Sequence, residues 1–141
     1  MQIEGRCHCG NIAFTLDWPG DAKQTIQARA CGCTFCQKHG GVWTSNPKGR
    51  LDVKVRDRAK VNEYQFGTRT ATFHVCAECG SVPFVTSLLD DHRYAVVNVN
   101  MFENLDASQI ARGPADFEGE DLATRLARRK RGWIPDVRIG G

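Results

Sequence analysis

Leu51-Asp52-Val53-Lys54-Val55-Arg56 places an apolar side chain at every other position and a charged one between. Successive side chains of a strand point to opposite faces, so this period of two predicts a strand with one face on a core and the other in water. Working outward, weaker versions of the pattern cover residues 12–16, 25–30, 61–66, 70–75, 82–88 and 94–99. Pro47-Lys48-Gly49 and Phe66-Gly67-Thr68-Arg69 interrupt the runs at short intervals, which favours antiparallel sheets over a parallel α/β design. The expected fold class is mainly β.

One helix is expected, over 120–130, where Leu122 and Leu126 fall four apart with Ala123 and Ala127 beside them. Glu120 and Asp121 would sit at its positive end, Arg128 to Arg131 at its negative end, and Gly132 would stop it. The preceding Asp116-Phe117-Glu118-Gly119 reads as a loop. A basic run on a terminal helix is ordinarily a solvated face, although Arg128-Arg129-Lys130-Arg131 could also attract the carboxylates of a small molecule or a nucleic-acid phosphate.

The 141 residues match one domain, 1–141, with 41% hydrophobic and 25% charged residues, as in ordinary soluble folds. A net charge of +3 from 19 basic and 16 acidic side chains is too small to mark a nucleic-acid binder. No stretch approaches the roughly 20 apolar residues of a membrane span, and Glu4, Arg6 and Cys7 stand where an export signal would be apolar. A cytoplasmic setting is the default expectation, and there thiols stay reduced, so clustered cysteines read as metal ligands before disulfides.

Seven cysteines fall into three groups: Cys7-His8-Cys9-Gly10, Cys31-Gly32-Cys33-Thr34-Phe35-Cys36 and Cys76-Ala77-Glu78-Cys79-Gly80. Zinc takes four soft or borderline ligands in a tetrahedron, and pairs a few residues apart on a tight turn reach one ion without long loops. The Cys-Gly endings predict knuckle turns, in which glycine supplies a positive φ. Joining Cys7 and Cys9 to Cys76 and Cys79 makes a closed four-thiolate site and leaves Cys31, Cys33 and Cys36 as a tripod with an open position. Joining Cys31 and Cys33 to Cys76 and Cys79 instead strands Cys36, so the first partition ranks higher. A redox role for the middle group ranks lower still, because a Cys-x-Cys pair strains disulfide geometry.

In order and spacing, Gly5-x-Cys7-x-Cys9-Gly10, Cys31-x-Cys33-x-x-Cys36 and Phe73-His74-Val75-Cys76-x-x-Cys79-Gly80 resemble the three sequence blocks of the glutathione-dependent formaldehyde-activating enzymes and the related domain of centromere protein V. Phe117-Glu118-Gly119 and Trp133-Ile134-Pro135 are similar to segments of bacterial members. The resemblance implies twisted antiparallel sheets like those of zinc-binding Rab-exchange chaperones. It also implies two Zn²⁺ per chain: a structural one on Cys7, Cys9, Cys76 and Cys79, and a catalytic one on Cys31, Cys33 and Cys36.

If the family activity holds, the substrate is a small thiol such as glutathione, completing the tripod and attacking formaldehyde or another small carbonyl in carbon–sulfur lyase or synthase chemistry. His39, three residues past the tripod, is the candidate to move a proton or donate a hydrogen bond there. His8 and His74 read as neighbours of the closed site, and Trp43 as core more readily than pocket wall. The competing readings are a zinc-stabilised binding module and a glutathione carrier without turnover.

Overall fold

The 51–56 alternation becomes β5 (Arg50–Val55), with Leu51, Val53 and Val55 buried. It lies antiparallel to β2 (Ile12–Asp17), and β1 (Gln2–Arg6) continues that sheet as an antiparallel edge. On its other side β5 takes β11 (Asp136–Gly140) in parallel. Ile3, Phe14, Leu16, Leu51 and Val53 line one face of this four-stranded sheet, as a period of two requires. The computed structural model describes residues 1–21, 23–117 and 119–141.

The second sheet has seven strands. From one edge they are β10 (Ile110–Ala115), β3 (Ile26–Cys31), β4 (Val42–Thr44), β9 (His92–Asn98), β8 (Phe84–Leu89), β7 (Thr72–Cys76) and β6 (Val61–Tyr64). All six runs read as strands outside 51–56 appear, each within two residues at either end. Neighbours pair antiparallel except β10, which lies parallel to β3. Both sheets are therefore mainly antiparallel, as expected, with one parallel pair in each. The two parallel pairs involve late segments that dock on free edges, where no hairpin dictates direction. Pro114 in β10 is tolerated because an edge strand leaves N–H positions unpaired.

Strands β8 and β9 decide where a site can form. Phe84 pairs with Val97, and both pack in one core with Ile3, Phe14 and Leu51 of the smaller sheet. The next pair, Val85 with Val96, points the other way and packs with Cys36, Trp43 and Trp133. The large sheet thus buries both faces, which explains the unbroken apolar runs Val82-Pro83-Phe84-Val85 and Ala95-Val96-Val97.

The second face is covered by α1 (Thr34–His39) and α2 (Leu122–Gly132). Asp121 caps α2 through its side chain, accepting from the Thr124 N–H at 2.7 Å. Glu120 reaches forward along the helix to Arg125 and Arg128 instead of into the first turn. Gly132, expected to stop the helix, is its last residue; the chain is turned by Ile134, whose N–H and C=O both bond Ala95 of β9. Of the 116–119 loop, Glu118 lies outside the described residues.

Candidate functional site

Two turns bring the first and third cysteine groups together. Cys7 to Gly10 links β1 to β2, and Cys76 to Gly80 follows β7. In each turn the glycine N–H bonds back to the first cysteine's carbonyl, at 3.1 Å for Gly10 and 2.8 Å for Gly80. Their φ values of 84° and 77° are the left-handed geometry that the Cys-Gly endings predict. The Ile12 N–H also donates to the Cys7 sulfur at 3.3 Å.

The sulfurs of Cys7, Cys9, Cys76 and Cys79 all lie within 4.8 Å of one another. Cys7 to Cys9 is 3.7 Å and Cys9 to Cys76 is 3.5 Å. Tetrahedral bonds of about 2.3 Å put sulfurs about 3.8 Å apart, so the donor set fits a zinc-sized ion. Protonation tells the same story. Burial pushes the Cys76 thiol up to about 12. Burial also pushes Cys79 up, but hydrogen bonds with Ser81, Cys9 and Cys76 outweigh it and draw that thiol down to about 5. Four sulfurs this close share protons unless a cation replaces them. Cys7 and Cys76 are buried within the core between the sheets, so this centre is part of the packing.

Cys31 ends β3, and Cys33 and Cys36 flank the start of α1. Cys33 is the helix cap, its sulfur accepting from the Cys36 N–H at 3.3 Å. The three sulfurs lie within 4.8 Å of one another, and no fourth Cys, His, Asp or Glu among the described residues joins them. A hydrogen bond from the Cys36 thiol draws Cys31 down to about 5, and the same bond, with burial, pushes Cys36 far up. The set could hold a metal ion with one position left for an outside ligand.

That position adjoins a cavity of about 440 Å³. Trp43, Phe66, Phe73, Val85, Val96 and Trp133 supply apolar wall, and Arg29, Arg125, Arg128 and Arg129 supply cationic wall. Trp43 is both core and pocket: it is buried, and its indole N–H donates to the Cys36 sulfur at 3.4 Å. The basic run at 128–131 is divided by the helix. Arg125, Arg128 and Arg129 share one face and line the cavity, Arg131 is exposed, and Lys130 pairs with Asp90. The expectation of a solvated basic face holds for only half the run. The i, i+3, i+4 spacing of 125, 128 and 129 was the available signal that they act together.

His39 is absent from the residues lining the cavity. Its ring packs on Phe35 with centroids 4.5 Å apart and on Trp43 at 5.8 Å, and its buried Nε2 has no hydrogen-bond partner. Burial holds its imidazole below the ordinary range. His8 is exposed, whereas His74 is buried, stacked on Phe84 at 4.2 Å and bonded to Thr86 at 2.8 Å.

No helix among the described residues is long and apolar enough to cross a membrane. A crystal structure of a Rhodobacter sphaeroides protein is similar, with 28% identity and a TM-score of 0.55, covering 79% of this chain and 97% of that one. The sequence pattern described as "glutathione-dependent formaldehyde-activating enzyme" matches residues 2–116, a span that contains all seven cysteines and ends before α2. On that match, which takes in both sulfur clusters, this chain belongs to the family of glutathione-dependent formaldehyde-activating enzymes.

Proposed function

We propose that the chain is a zinc-dependent carbon–sulfur lyase or synthase that joins glutathione, or a similar thiol, to formaldehyde or another small carbonyl. The observation that carries this reading is the three-sulfur cluster at a half-apolar, half-cationic cavity with no fourth protein ligand among the described residues. Two Zn²⁺ per chain are proposed, a structural one on Cys7, Cys9, Cys76 and Cys79 and a catalytic one on Cys31, Cys33 and Cys36. Held by Cys31, Cys33 and Cys36, zinc would supply a vacant position for a thiol as its thiolate, and three thiolates would make it too weak a Lewis acid to favour hydrolysis.

The chain's own residues do the rest. Cys31, Cys33 and Cys36 aim the open position into the cavity, and the Trp43 N–H holds Cys36 in orientation. The wall of Phe66, Phe73, Val85 and Val96 limits water beside the reacting sulfur. In the synthetic direction the thiol releases its proton to solvent, its sulfur forms a bond to the carbonyl carbon, the C=O π pair moves to oxygen, and that oxygen takes a proton back from solvent to give the S-hydroxymethyl adduct. The reverse breaks the C–S bond. His39 acts in this scheme as a positioning residue for Trp43, which its ring abuts.

The test is exchange NMR of glutathione and formaldehyde with zinc-loaded protein. Accelerated interconversion of free glutathione and its S-hydroxymethyl adduct, lost in Cys36→Ser, supports the enzyme. Binding of glutathione with no acceleration assigns the chain to the carrier reading.

A further inference from the structure

Arg129 is a buried cation whose bonded partners are all neutral. Its side chain lies on the cavity wall, with the residue only 7% exposed. Nη1 donates to Thr70 Oγ1 at 2.9 Å and to Ser87 Oγ at 3.2 Å, and the guanidinium carbon stands 5.1 Å from the Trp133 ring centroid. Its buried Nε has no hydrogen-bond partner. Among the described residues it makes no ion pair; the nearby carboxylate of Glu120 is taken by Arg125 and Arg128. Burial, reinforced by the like charge of those two arginines, pulls its guanidinium down to about 10, which leaves it cationic at neutral pH.

A clamp between two hydroxyls needs no charge, and a buried charge without a counter-ion is costly. The cost has a return if an anion enters from the cavity. Four guanidinium groups line that cavity against the lining carboxylate of Asp116 and the Glu120 carboxylate between Arg125 and Arg128, so positive charge remains in excess. The volume of about 440 Å³ suits a small organic molecule and exceeds what a one-carbon aldehyde needs.

We infer that Arg129 is a receptor for a carboxylate of the thiol ligand, so that α2, which lies outside the family match, selects carboxylate-bearing thiols. Sulfur is taken at the three cysteines and carboxylate at Arg129, which line the same cavity, and two-point attachment orients the thiol. The inference rests on the thiol reading of the three-cysteine site, and the probes below separate the two.

The test is calorimetric titration of zinc-loaded wild type with S-methylglutathione, which keeps both carboxylates but has no free thiol, and with its diethyl ester, which has neither. The acid form is expected to bind and the ester to bind about 10- to 100-fold more weakly, as for loss of a charge-assisted hydrogen bond. Arg129→Gln is expected to erase the difference by weakening the acid alone. Arg129→Lys keeps the charge without the fork and is expected to show a reduced preference, which serves if the Gln variant does not fold. Equal binding of acid and ester by wild type, or an undiminished preference in a folded Arg129 variant, overturns the receptor. Cysteamine, a thiol without a carboxylate, separates the failures. If it perturbs a cobalt-substituted three-cysteine site while acid and ester bind alike, the thiol reading stands and the receptor falls. If Arg129 discriminates acid from ester but no thiol perturbs that site, the receptor stands and the thiol chemistry falls.

Discussion

The indole N–H of Trp43 donates to the sulfur of Cys36 at 3.4 Å, and both side chains are buried. A donor to a thiolate steadies its charge and fixes the direction of its lone pairs, and outer-shell groups of this kind govern how firmly ligands hold a metal. Trp43→Phe keeps an aromatic wall and removes the donor. The expected result is an affinity for the second zinc about 10-fold lower by chelator competition, with the first zinc unaffected. Equal retention of both ions would show that the bond is incidental.

The two sulfur clusters should part company under substitution. Cys76 is fully buried in the core between the sheets, so Cys76→Ser removes both a ligand and a packing element. It should leave the chain unfolded by circular dichroism, because structural metal binding is folding free energy. Wild type is expected to carry two zincs, and Cys36→Ser to remain folded and carry one. A single zinc in wild type that survives Cys36→Ser would falsify the two-site assignment.

Acid should weaken the fold in a window set by His74. Burial, aided by the nearby Arg93 charge, lowers its imidazole from 6.5 to about 4. The unfolded chain therefore binds a proton in that interval that the folded chain refuses. Stability is full above the unfolded value of 6.5 and falls as pH drops towards 4, by at most about 3 kcal/mol. In His74→Phe the slope of denaturant-derived stability against pH between 6.5 and 4.5 should flatten, measured at fixed zinc. An unchanged slope would show that His74 does not set the acid window.

The cap of α2 offers a lever on the cavity from outside it. Asp121 accepts from the Thr124 N–H at 2.7 Å, and Asp121→Ala should lower stability by loss of that cap. Zinc content should not change, since the helix holds no cysteine, but glutathione affinity should fall because Arg125, Arg128 and Arg129 are carried by that helix. Calorimetry and zinc quantitation on the same sample check both halves.

Most strands were legible because alternation is a local property: Leu51, Val53 and Val55 face one way whatever the strand packs on. The sulfur partition was legible for a related reason, since pairs on tight turns must reach a common ion and the count of seven divides sensibly as four and three. The three-residue interior strand β4 and the proline-bearing edge strand β10 carry too little pattern, and their partners are decided only once the neighbouring strands are in place. The same limit governed the cavity. Helical spacing puts Arg125 and Arg129 on one face with Arg128, but what that face meets depends on Ile134 pinning the chain to Ala95. Proximity in sequence placed His39 near the tripod, but only the packing of α1 showed that its ring rests on Phe35 and on Trp43, the residue that bonds Cys36. Sequence alone determined which residues travel together; only the tertiary structure decided what they face, because direction in space is set by packing between segments far apart in the chain.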